Sequence, residues 1–141
     1  MQPESMVHAL EQIHELLDQG GYLIDIHPNG ELNRFILLLD GQEYFIGYMQ
    51  ETDGYIEYRQ ASEAIETVVS KGLFRFLKMG GFEFRTYADS FDELQDFLEK
   101  TWSDAVITEE VIANARRLEE EYGKHRVFVC EQTRIGLLKK L

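Results

Sequence analysis

Met6, Leu10, Ile13 and Leu17 recur at spacings of four, three and four, a stripe that predicts an amphipathic helix. Pro3 suits its first turn, and Gly20 with Gly21 can take the left-handed cap that ends it. The next apolar run, "YLIDIH" from Tyr22 to His27, carries Leu23, Ile24 and Ile26 on both faces, which predicts a strand inside a covered sheet. Pro28, Asn29 and Gly30 break it. From Arg34 the period shortens to two. "RFILLL" and "QEYFIGYM" flank Asp40-Gly41, the pair that favours a tight hairpin, and "YIEY" after Asp53-Gly54 predicts a third antiparallel strand of a meander. Ala61, Ile65, Val68 and Val69 return to helical spacing, with Gly72 as the stop. "LFRFLKM", Gly80-Gly81 and "FEFRTYA" predict another hairpin, or an extended approach to a single strand.

Ser90 with Glu93 forms a capping box ahead of "FDELQDFLEKTW", whose Leu94, Phe97, Leu98 and Trp102 define a buried face. Thr108 caps a further helix. Glu109 and Glu110 sit near its positive end, Val111, Ala115, Leu118 and Tyr122 face inward, and Gly123 closes it. "RVFVCEQ", Arg126 to Gln132, is the last strand, and "IGLLKKL" reads as a solvated tail. No repeat, low-complexity segment or linker interrupts residues 1–141, so a single domain is expected.

Charge narrows the partners. The chain has 141 residues with 26 acidic against 14 basic, a formal net charge of -12. Such a surface repels phosphate backbones and anionic lipid heads, which argues against nucleic-acid and membrane partners. No apolar run approaches the roughly 20 residues of a bilayer span, and "MQPESMVHAL" lacks a signal-peptide pattern. A cytoplasmic protein is the expectation. The single cysteine, Cys130, cannot form an internal disulfide and sits at a strand position that predicts burial.

Candidate chemistry is sparse. His8 and His14 fall on different sides of a helix, and His27 and His125 have no ligand at metal spacing, so no metal site is expected. Glu119, Glu120 and Glu121 lack the alternation and the glycine of a calcium loop and read as the wet face of a helix. No nucleophile elbow, phosphate-binding loop or dinucleotide fingerprint is present, and no Cys/His nucleophile arrangement is evident. Tyr44, Phe45, Tyr48, Tyr55 and Tyr58 either fill the core or line a pocket, core packing being the more common use of alternating aromatics.

The order of elements resembles the C-terminal half of class I S-adenosylmethionine-dependent methyltransferases, over nearly the whole chain. "LLDQGGYLIDIHP" is similar to that family's helix, paired glycines and fifth strand, and "TYADSFDELQDFLEKTW" to its sixth strand and the helix after it. The resemblance implies an α/β fold: a mixed, Rossmann-like sheet flanked by helices, with the antiparallel meander as an insertion. The alternative class is α+β.

The resemblance also implies an incomplete enzyme. The family's cofactor is held by a glycine-rich loop after the first strand and an acidic residue after the second, and neither maps onto this sequence. Completing that half would take roughly 100 or more residues before Met1. The chain is therefore expected to have no catalytic residues and to bind no cofactor alone, with S-adenosylmethionine bound only if an N-terminal half completes it. His27 and Asn29, at the carboxyl end of the strand that resembles the fifth, would face the substrate side of the cleft. Two functions compete: part of a methyltransferase, and a stand-alone non-catalytic domain for dimerisation or small-ligand binding. The fifth strand would lie between the fourth and the seventh, so without a fourth strand one edge stays open, which predicts a homodimer or pairing with the missing half.

Overall fold

A computed structural model describes residues 3–141. The elements run α1 (Pro3–Leu16), β1 (Tyr22–Pro28), β2 (Asn33–Leu39), β3 (Gln42–Glu51), α2 (Ile56–Ser70), β4 (Phe74–Ala88), α3 (Phe91–Thr101), β5 (Ala105–Val106), α4 (Glu109–Tyr122) and β6 (Arg126–Lys140). Strand order is β1-β6-β2-β3-β5, with β4 also pairing β6. The described residues combine four helices with a six-stranded antiparallel sheet. The parallel pairing implied by a mixed sheet is absent from these registers. Between β1 and β4, where a crossover through α2 could have made a parallel pair, β6 is inserted. β1 pairs β6 from Tyr22↔Lys139 to Pro28↔Thr133, while the Leu141 N–H donates to Leu73 O and Gly81 abuts Thr133 O.

Two compact units divide the chain. The first comprises the chain up to Gly30, Ile56–Phe82 and Gln132–Leu141. Its core is Ile65, Val68, Phe74 and Leu138, with Val7, Leu10, Leu17 and Leu23 packed against it, so α1 and α2 cover one face of β1. Phe74 and Leu138 are fully buried, and each contributes about 1.5–3 kcal/mol by leaving water. The other face of β1 is uncovered: Tyr22, Ile24 and Ile26 are 57%, 63% and 56% exposed, so the strand is not doubly covered as its sequence suggested.

The second unit holds Glu31–Tyr55 and Glu83–Glu131. Asp40 at φ 50° and Gly41 at φ 78° make the expected two-residue hairpin turn between β2 and β3. Phe35 and Leu37 of β2, Val127 and Val129 of β6, and Leu94, Leu98, Val111, Ala115 and Leu118 of α3 and α4 form the main core. Phe35 meets Phe91 edge to face at 5.5 Å. Both predicted helix caps are present: Glu93 N–H donates to Ser90 Oγ at 3.2 Å, and Val111 N–H to Thr108 Oγ1 at 3.3 Å. The reciprocal bond of the capping box goes from Asp89 N–H to Glu93, and Phe97, expected inside, is 48% exposed.

Three other expectations are corrected. "YIEY" opens α2, because Asp53 Oδ1 accepts the Tyr55 N–H and Tyr55 adopts φ 65°, a turn that starts the helix. Gly80 and Gly81 do not turn; neither has a positive φ, and β4 passes straight through them. A Cβ on Gly81 would stand 3.3 Å from Thr133 O, so the glycine serves close approach to β6. The tail "IGLLKKL" belongs to β6, with Leu138 buried and Lys140 Nζ donating to Leu17 O at 2.7 Å.

Candidate functional site

The pleat of β1 sends Leu23, Asp25 and His27 to one face and Tyr22, Ile24 and Ile26 to the other. His27 is 8% exposed and bonded at both nitrogens. Its Nδ1 lies 2.7 Å from Asp25 Oδ2, and its Nε2 lies 2.8 Å from Ser62 Oγ on α2. With Asp25 accepting from Nδ1–H, Nε2 of the neutral ring accepts from the Ser62 hydroxyl.

Carboxylate, imidazole and hydroxyl in this order also make up a hydrolytic triad. The surroundings of Ser62 decide what the three can do. Acyl transfer needs backbone or side-chain donors aimed at a developing oxyanion. Ser62 sits inside α2, beyond the first four residues whose N–H groups a helix leaves free, so the nearby backbone N–H groups are spent on the helix itself. The arrangement satisfies a buried imidazole and ties β1 to α2.

The two residues singled out by sequence part company here. His27 is buried in this network, whereas Asn29 is exposed, its N–H donating to Gln132 O at 2.9 Å. Asn29 lines a shallow groove of about 390 Å³ with Met79, Gly80, Gly81, Thr133 and Arg134. Sequence reasoning missed Asp25 and Ser62. Asp25 had a signal, since residues two apart on a strand share a face; Ser62, 35 residues further on, meets His27 only through the fold.

Other reactive groups are held in check. Cys130 is buried, and that burial pushes its thiol pKa up, away from a nucleophilic thiolate. Burial likewise pushes Tyr55 up to about 12, and its hydroxyl donates to Met49 O. Tyr44 packs against Tyr122 at 4.8 Å, while Phe45 and Tyr48 are exposed and meet edge to face at 5.0 Å. Among the described residues no group of three or more His, Cys, Asp or Glu side chains could hold a metal ion. None of their helices is long and apolar enough to cross a membrane. No protein-family model matches the chain, and no curated protein matches it either.

Proposed function

We propose that this chain is a methyltransferase-related domain that does not transfer methyl groups by itself and that associates with a second copy through the open edge of β1. One observation carries the reading. β1 pairs on one side with the last strand, β6, and ends the sheet on its other side. In the sheet that the sequence resembles, the fifth strand has the seventh on one side and the fourth on the other; on this reading β6 would correspond to the seventh and the open edge of β1 to the side of the fourth. A strand edge of this kind offers unpaired N–H and C=O groups beside apolar side chains, a template for another chain. Pro28 blunts only its last position, and no lysine lies within it.

The lack of independent catalysis follows from the residues available. No glycine-rich phosphate- or dinucleotide-type loop is present in the sequence, and Ser62 of the Asp25–His27–Ser62 cluster sits inside α2, where the neighbouring backbone N–H groups are used by the helix. A cytoplasmic setting agrees with a lone, buried cysteine. The test is calorimetric titration of the purified chain with S-adenosylmethionine. No saturable binding in the micromolar range is expected; one micromolar site per chain would contradict the reading.

A further inference from the structure

The β2–β3 ladder skips a residue between Phe35↔Gly47 and Ile36↔Phe45, so Ile46 is the extra residue of a bulge. Two consequences meet at one place. The strand turns Phe45 and Tyr48 outward together, three residues apart, where a regular strand would send them to opposite faces. The Ile46 carbonyl, displaced from the ladder, accepts the Asn114 side-chain amide from α4. Between β3 and α4 this leaves a cleft of about 570 Å³.

Its lining is specific. Phe45 and Tyr48 are 49% and 47% exposed, with ring planes at 64°, so two aromatic surfaces meet at an angle. Arg117 is occupied: its Nη2 donates to Asn114 Oδ1 at 2.7 Å, and its Nη1 lies 3.8 Å from a Glu121 carboxylate oxygen. Glu110 also lines the cleft and makes no ion pair among the described residues. Glu110 and Arg117 are the charged residues of the lining; Arg117 is paired with Glu121, which leaves Glu110 as the charged lining group with no ion-pair partner among the described residues. The whole chain, at -12, raises the local concentration of cations and opposes anions.

From this we infer that the cleft binds a small organic ammonium ion, its alkylated nitrogen against the Phe45 and Tyr48 rings and its charge facing Glu110. Ring faces attract such cations through their quadrupole, and a carboxylate at the rim adds a direct Coulomb attraction. A neutral apolar ligand of the same shape would gain only the contact area.

The experiment is an NMR titration of the full chain with choline and with its neutral isostere, in which a quaternary carbon replaces the nitrogen. Saturable shifts confined to Phe45–Gln50 and Glu110–Arg117 are expected, with a dissociation constant on the order of millimolar and the isostere about tenfold weaker. Phe45→Leu and Glu110→Gln, both at exposed positions, should each weaken choline several-fold while leaving the rest of the spectrum unchanged. Equal binding of choline and its isostere, saturable shifts elsewhere, or no saturation at all would overturn the inference.

Discussion

The Cβ that Gly47 lacks would stand 2.7 Å from Val111 Cγ2, closer than any real Cβ contact. Gly47 lies beside the Ile46 bulge, and its missing side chain is what lets α4 settle onto β3. Gly47→Ala should destabilise the protein by about 1–3 kcal/mol in urea unfolding, the usual range for overpacking a core. Adding Val111→Ala removes the clashing methyl groups, so the double variant should lose less than the two single losses added together. Strict additivity would contradict the close approach.

Ser62→Ala leaves His27 Nε2 in a buried setting without its partner. About 1–3 kcal/mol of stability should go with it, because an orphaned buried acceptor loses its hydration without compensation. A double variant, His27→Leu with Ser62→Ala, takes away both partners and should recover part of that loss. Thermal unfolding checks both statements, and an unchanged midpoint for Ser62→Ala would remove the tether.

Two glutamates of the second unit should respond to pH with opposite signs. Glu83 accepts from Arg85 Nε at 2.6 Å and pairs with Arg34 at 2.9 Å, and the Arg85 hydrogen bond holds its carboxyl below the ordinary value of 4.5. Its contribution is stabilising at neutral pH and fades as pH falls below 4.5 through the folded-state value. Glu131 is the reverse: burial raises its carboxyl above 4.5, so it costs stability increasingly as pH rises from 4.5 through its folded-state value. At pH 7 Glu83→Gln should therefore lower the unfolding midpoint and Glu131→Gln should raise it, and the Glu131→Gln gain should vanish below about pH 4. Shifts of the same sign at pH 7 would refute the assignment.

Gly41 has open space where a Cβ would go, yet its φ is 78°. Gly41→Val should thus cost about 1–3 kcal/mol through backbone strain alone. Urea unfolding reads the loss, and Gly41→Asn, which tolerates the left-handed region, should retain most of the stability.

Local signals in the sequence were reliable where a side chain or a glycine acts within a few residues. Ser90, Thr108, Asp40-Gly41 and Gly123 each perform the cap or turn that their identity suggests, since the partners of each are neighbours in sequence. Glycines whose reason is tertiary misled the reading. Gly80 and Gly81 resemble a turn until β6 is in view, and Gly136, which resembles the start of a loose tail, lies with Phe76 and Leu138 only 3.6 Å from where its Cβ would stand. "YIEY" has the apolar alternation of a strand, but the Asp53–Tyr55 turn overrides it. At the candidate site the sequence singled out His27 as a residue facing a cleft, whereas the structure buries it against Ser62, which comes from a distant helix that periodicity cannot bring near.

The open edge of β1 is tested most directly by sedimentation equilibrium of the chain at micromolar concentration, alone and as Ile24→Lys. Ile24 is central in β1 and 63% exposed, so a lysine there blocks edge pairing without disturbing a core. The account predicts a species of twice 16.5 kDa for the natural chain and one of 16.5 kDa for the variant, with unchanged folding by circular dichroism. A natural chain that sediments as a single 16.5 kDa species, with no trend toward dimer, would contradict it.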